Sequence, residues 1–153
     1  MTNSKPSTKL TSEPQPDLMM DLQALLYYRF NLFERRLLKK IKQTEYHFLT
    51  IPQLRIFGLM RGNVITISSL AKWLDISRQA VQKTVSSLVK HGMLKLVESP
   101  SNRSAKEIEM TEKGKKLWSE IKGIRLKMES DLSNKIGPER LALLQEILRE
   151  NWG

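Results

Sequence analysis

The stretch SSLAKWLDISRQAVQKTVSSLVKHG, residues 68–92, contains two short amphipathic helical patterns joined by the tight turn DIS. Successive residues of a helix point about 100° apart, so the second pattern has an apolar side and a polar side. Its apolar residues are Val81, Val85, Leu88 and Val89, and its polar residues are Gln79, Lys83, Ser86 and Lys90. In a helix-turn-helix the first helix braces the second, which lies in the major groove of DNA. We therefore predict a helix-turn-helix whose second helix covers residues 77–91.

The polar side of this helix has the chemistry that DNA contacts require. Amide, hydroxyl and ammonium groups can pair with base edges and phosphates, and no carboxylate is present to repel phosphate. An ordinary solvated face is the simpler interpretation. The following sequence favours DNA, because MLKLVE (93–98) and AKEIEM (105–110) alternate as paired strands do, with a polar loop between them. A helix-turn-helix followed by a hairpin is a winged helix, with its wing at residues 93–110.

The composition favours a polyanionic partner. The 153 residues include 26 Lys and Arg against 16 Asp and Glu, which gives a net charge of +10 and a pI of 9.9. This balance suits nucleic acid or an anionic membrane surface. No apolar run reaches the roughly 20 residues of a membrane span, the first residues lack the apolar stretch of a signal peptide, and cysteine is absent. We expect a cytoplasmic protein with no membrane partner, no disulfide and no thiolate metal site.

Local signals predict the elements in front of the helix-turn-helix. Thr50 and Gln53 form a capping-box pattern for a helix over residues 51–61. The β-branched run 64–67 predicts a short strand, after which Ser68 is expected to cap the next helix.

The two ends of the chain are predicted to be mainly helical. Residues 1–17 are rich in Pro, Ser and Thr and predict a disordered arm. A helical pattern with two apolar stripes follows over residues 18–41. After the wing, Thr111 is expected to cap a helix that runs to about Asn134, and Gly137 with the proline behind it opens a last helix.

Both end segments have a wider apolar surface than a single core contact needs. We therefore predict that the helices within residues 18–47 and 113–153 form a dimerisation region around a winged-helix lobe at residues 48–112. Residues 18–153 would then be one domain. The fold class is mainly α with a small β-hairpin wing, an α+β arrangement.

The chain resembles the MarR family of bacterial transcription regulators over about residues 20–150. The resemblance rests on LTIPQLRIFGLM (49–60), LAKWLDISRQAVQKTVSSLVKHGML (70–94) and MTEKGKKLW (110–118). It implies a homodimeric repressor that binds a palindromic operator in double-stranded DNA. It also implies room for a small-molecule effector between the dimer and DNA lobes, to which we assign neither an identity nor a contact residue.

By position, the resemblance assigns DNA contact to the start of the second helix and to the wing tip. The residues are Ser77, Arg78, Gln79, Gln82, Lys83 and, in the wing, Arg103, to which the polar side of the helix adds Ser86. The wing departs from the family pattern, because SNRSAKE (101–107) has Asn102 where an aspartate is usual and Ser104 where an arginine is usual. Arg103 either substitutes for that arginine or is displaced by one residue. The missing acid removes a brace within the wing.

Nothing in the sequence predicts catalysis. His47 and His91 lack the partners of a metal or catalytic site, and no glycine-rich phosphate loop or nucleophile motif is present. We predict no enzyme, no metal and no cofactor, and we interpret Tyr27, Tyr28, Trp73 and Trp118 as core or interface residues. Two other functions stay open, a winged helix that binds a partner protein and a sequence-independent DNA-binding protein.

Overall fold

A computed structural model describes residues 16, 20–100 and 106–153 of the chain. Its fold is mainly α with one small antiparallel sheet, the class that the sequence predicts. The elements in chain order are α1 (Leu22–Ile41), α2 (Ile51–Met60), β1 (Ile65–Thr66), α3 (Ile67–Leu74), α4 (Arg78–Lys90), β2 (Leu94–Glu98), β3 (Lys106–Met110), α5 (Glu112–Ile136) and α6 (Pro138–Arg149). Of the predicted disordered arm, residues 1–17, only Pro16 lies within the described ranges. No helix in these ranges is both long enough and apolar enough to cross a membrane.

Caps fix the starts of several helices at the predicted positions. Ahead of α2, the backbone N–H of Thr50 donates to Oε1 of Gln53 at 2.9 Å, which confirms the capping box. Ahead of α5, Oγ1 of Thr111 accepts from the N–H of Gly114 at 3.0 Å. The last helix begins at Pro138, as predicted.

The first helix is shorter than the sequence predicts. It begins at Leu22 instead of residue 18, and the preceding Met20 and Asp21 are not helical. The reason is a side-chain cap, because the carboxylate of Asp21 accepts from the N–H of Ala24 at 2.8 Å. The apolar pattern alone did not predict this start, because it took no account of the acidic capping residue.

The predicted start of α3 is also wrong. Thr66, not Ser68, caps this helix, because Oγ1 of Thr66 accepts from the N–H of Ser69 at 3.1 Å. The helix therefore begins at Ile67, and the strand predicted over residues 64–67 is reduced to two residues.

The short strand β1 nevertheless completes a three-stranded sheet. The strand order is β1-β3-β2, with both pairs antiparallel. Ile108 of β3 lies opposite Ile65 of β1 on one side and Leu96 of β2 on the other. Ile108 is fully buried, so the sheet contributes to the core as well as forming the wing.

The chain divides into two compact units, residues 1–34 and 35–153. In the first unit the described residues form the start of α1, whose exposed apolar side chains are Leu22, Leu26, Tyr27 and Phe30. The second unit has its own core, whose fully buried members include Phe57, Leu70, Leu88, Ile108 and Leu117. The lobe boundaries predicted from the sequence stay a prediction.

The last two helices pack against each other. On this side of α6 Leu141 is buried, and Nε2 of Gln145 donates to Oε1 of Glu129 on α5 at 2.7 Å. Beside this contact α6 leaves four aliphatic side chains exposed, namely Leu143, Leu144, Ile147 and Leu148. The wide apolar surface predicted for this helix is therefore present.

Candidate nucleic-acid interface

The turn between α3 and α4 sets the start of the second helix. Asp75 ends α3 in the left-handed conformation at φ 52°, which aspartate tolerates better than most residues. Two residues later, Oγ of Ser77 accepts from the N–H of Ala80 at 3.1 Å and caps α4. This side-chain bond begins the helix at Arg78, as the sequence predicts.

The apolar side of α4 is closed off from solvent. Val81, Val85 and Leu88 are at most 1% exposed, and α4 packs against both α2 and α3. Because these three side chains fix the rotation of the helix about its axis, the opposite side must face outward.

The outward side of α4 contains the polar residues that the sequence assigns to DNA contact. Every one of them is exposed, namely Ser77, Arg78, Gln79, Gln82, Lys83 and Ser86, together with Lys90. Apart from the cap made by Ser77, none of these side chains bonds to another described residue. Of the residues assigned to DNA contact, Gln79, Gln82, Lys83 and Ser86 project from one side of the helix, whereas Arg78 lies at the edge of that side. The surface offers amide, hydroxyl and cationic donors, and α4 contains no acidic residue.

Polar contacts hold the two strands of the wing together. Nζ of Lys95 lies 2.7 Å from a carboxylate oxygen of Glu109 directly across the sheet. The buried Ser99 donates from its hydroxyl to Oε1 of Glu107 at 2.7 Å. Two acidic residues of β3 therefore brace the paired strands of the wing, although Asn102 replaces the aspartate that is usual in its loop. Arg103 and Ser104 lie outside the described residues, so their order in the wing stays a prediction.

A buried amide connects α2 to α4, and sequence reasoning missed this connection. Gln53 is 5% exposed, and its Nε2 donates to Oγ of Ser87 at 3.1 Å while its Oε1 accepts from Thr50. The capping-box pattern identified Gln53 only as a local cap. The available signal was Ser87, a polar residue next to the apolar side of α4, which indicated that Gln53 could have a partner there.

The far end of α4 is packed by aromatic rings. His91 follows the last helical residue, and its ring stacks on Phe48 with centroids 4.1 Å apart and planes within 4°. Nδ1 of His91 also lies 2.8 Å from the carbonyl oxygen of Ser87. Both contacts hold the end of α4 in place. Within the described ranges, no three His, Asp or Glu residues are grouped to hold a metal ion.

Trp73 is not a core residue of this chain, and its role in an interface stays a prediction. It is 58% exposed at the end of α3, and Ile76 in the following turn is 44% exposed. The apolar side of α3 is instead formed by Leu70 and Ala71, which are buried.

Comparison with known proteins gives the same fold. The sequence model of the MarR family matches residues 49–103. Wild-type MarR from E. coli superposes with a TM-score of 0.68 at 18% identity over 87% of this chain and 97% of that one. FabT from Streptococcus pneumoniae, solved in complex with DNA, gives 0.67 at 18% identity over 84% of this chain and 92% of that one.

One solved relative is also similar in sequence. The adhesin competence repressor AdcR from Streptococcus pyogenes is 30% identical over 81% of this chain and 92% of that one, with a TM-score of 0.51. The curated relatives with matching sequences are covered over 66% of their length, just under two thirds. The family model, the fold and this identity agree, and the chain belongs to the MarR family of winged-helix transcription regulators, which are DNA-binding proteins and not enzymes.

Proposed function

We propose that this chain is a homodimeric repressor of the cytoplasm that binds a palindromic operator through α4 and the wing. The observation that carries the proposal is the outward side of α4, where exposed amide, hydroxyl and cationic side chains are unpaired among the described residues and no acid is present. Such a surface has few uses inside a monomer. A duplex offers complementary acceptors in its bases and phosphates.

The residues on this side suit different parts of a DNA site. Gln79 and Gln82 can pair through their amides with the N6 and N7 atoms of adenine, and Lys83 can donate to guanine or to phosphate. Arg78 and Ser77 lie at the helix start, where phosphate contacts commonly set the register of a recognition helix. FabT, a neighbour in fold, was solved bound to DNA, which supports this use of the surface.

The dimer is proposed from the exposed aliphatic side of α6. Leu143, Leu144, Ile147 and Leu148 each leave at least 41% of their surface open to solvent. Burying one such side chain contributes about 1.5–3 kcal/mol, and contiguous apolar patches of this kind usually mark an interface. A second copy of the chain would cover this side, and a twofold dimer would explain a palindromic target.

Selection of duplexes from a random library, followed by titration of the selected duplex against a scrambled one, tests the proposal. The wild-type protein should prefer the selected duplex by about 10³-fold or more. Gln79→Ala should weaken that binding by about 1–3 kcal/mol and leave the scrambled duplex nearly unaffected. Lys83→Ala should weaken both, because its charge also serves phosphates.

Lys135→Ala is the matched control for charge. It removes one cation from the last turn of α5, roughly 35 Å along the helix from its start, and should change the affinity for the selected duplex far less than Lys83→Ala does. Equal affinity of the wild type for selected and scrambled duplexes would mean that the chain is a sequence-independent DNA-binding protein and not a sequence-specific regulator.

A second candidate function is favoured by Trp73 and Ile76. These exposed apolar side chains lie three residues apart beside the turn, and aromatic anchors are typical of protein interfaces. A partner protein would then bind the winged helix. Two results together would favour this function over DNA binding. The wild type would bind no duplex, and Trp73→Ala would abolish binding of a partner protein that the wild type captures.

A further inference from the structure

The recognition helix α4 meets the start of α5 at a tight junction. The loop after α4 turns at Gly92, whose φ is 73°. Oγ1 of Thr111 lies 2.6 Å from the carbonyl oxygen of Gly92 and 3.1 Å from the carbonyl oxygen of Met93, so its hydroxyl can donate to either oxygen. The same Oγ1 accepts from the N–H of Gly114 in the first turn of α5. One side chain therefore contacts the end of α4 and the start of α5 together.

Backbone contacts close the same junction. The N–H of Thr111 donates to the carbonyl oxygen of Met93 at 3.1 Å, and Met93 is fully buried. A Cβ on Gly114 would overlap that carbonyl oxygen, so the first turn of α5 lies directly against the loop. Any side chain at this position would force the two helices apart.

We infer that Thr111 and Gly114 are positioning residues that set the spacing of half-sites the dimer accepts, an inference that rests on the proposed function. Because α5 is long, a small rotation at the junction produces a large displacement at its far end. Its 25 residues extend roughly 37 Å at about 1.5 Å per residue. A rotation of roughly 5° at the junction would move its far end by roughly 3 Å, close to the rise of about 3.4 Å per base pair.

The reach of α5 connects this junction to the dimer. Its C-terminal end leads into α6, the helix proposed to contact the second subunit. This junction and the long helix α5 therefore connect each recognition helix to the proposed dimer contact. A loose junction would let the recognition helices adapt to several spacings, whereas a tight one restricts them to one.

The experiment uses a ladder of duplexes made from the selected operator, in which the distance between half-sites changes in single-base-pair steps. Wild-type affinity should peak at one spacing and fall by about tenfold or more on either side. Thr111→Ser retains the hydroxyl and should retain this profile. Thr111→Val lacks the hydroxyl and should flatten the profile to about threefold, with the peak affinity reduced.

Thr111→Asp separates this positioning role from simple capping of α5. An aspartate still accepts the N–H of Gly114 and suits a helix N-terminus, but it has no hydrogen to donate to the two loop carbonyls. The Thr111→Asp protein should therefore remain folded, as measured by circular dichroism, and should show the flattened profile. This test holds even if Thr111→Val does not fold. Its extra negative charge lowers affinity at every spacing and leaves the ratios between spacings unchanged.

The outcomes distinguish the two proposals. A wild type that selects no sequence refutes the proposed operator function, and the spacing inference with it. A wild type with a sharp profile and a folded Thr111→Asp protein with an equally sharp one refutes the inference alone. A flattened profile for Thr111→Asp together with a sharp one for Thr111→Ser supports it.

Discussion

Gln53 should stabilise the recognition helix through its buried amide. Gln53→Ala removes the hydrogen bonds at 2.9 Å to Thr50 and at 3.1 Å to Ser87, each worth about 1 kcal/mol. It also removes one buried methylene, worth about 0.8 kcal/mol. We expect the free energy of unfolding to fall by about 2–3 kcal/mol. Because the side chain is 5% exposed, water cannot readily replace the lost bonds.

Urea denaturation followed by circular dichroism measures this change, and a double-mutant cycle isolates the helix-to-helix bond. Gln53→Ala and Ser87→Ala should each destabilise the protein, and together by about 1 kcal/mol less than their sum. Gln82→Ala is the matched control, because this exposed glutamine of α4 has no described partner and should change stability by less than about 0.5 kcal/mol. Additive effects of the two substitutions would refute the reasoning, since the amide would then act on α2 alone.

Three other substitutions test separate features. Arg61→Gly should raise the midpoint of thermal unfolding by about 2–4 °C, because Arg61 has a φ of 48°; calorimetry giving an unchanged or lower midpoint would contradict this. The hydrogen bond and charge of Lys115 lower the pKa of Glu112 below that of an ordinary glutamate, so the stabilisation is complete above the unfolded-state pKa and is lost as pH falls through the folded-state pKa. The melting deficit of Glu112→Gln should accordingly be larger at about pH 6 than at about pH 3, and a deficit independent of pH would rule out this ion pair. Leu144→Lys should convert the dimer to a monomer by light scattering at micromolar concentration, whereas Ala142→Lys, on the opposite side of α6, should leave it dimeric; a wild-type mass of one chain would contradict the proposed interface.

Features with short-range causes were predictable from the sequence. The start of α4 follows from the hydroxyl of Ser77 and a regular apolar pattern, and the start of α5 follows from Thr111 in the same way. The two wing strands lie within one residue of their predicted bounds. In each case a side chain and its partner are only a few residues apart, so spacing alone carries the information.

Features that depend on distant partners were not predictable. Thr66 and Ser68 are both acceptable caps, and Thr66 is also held by the pairing of β1 with β3. The bond from Gln53 to Ser87 spans 34 residues, which no local pattern reports. Exposure of Trp73 likewise depends on which side of α3 the rest of the fold covers. The DNA contacts themselves stay a prediction, because they require a partner outside the chain.

The double role of Thr66 has a consequence for how the protein opens. This residue lies opposite Glu107 in the pairing of β1 with β3 and also caps α3. Detaching the wing strand β3 from β1 would thus release the residue that starts the first helix of the helix-turn-helix. The backbone amides of β3 and α3 should consequently exchange their hydrogens for deuterium as one cooperative group, with a shared free energy of opening. The wing strand and the first helix of the helix-turn-helix would behave as a single folding unit.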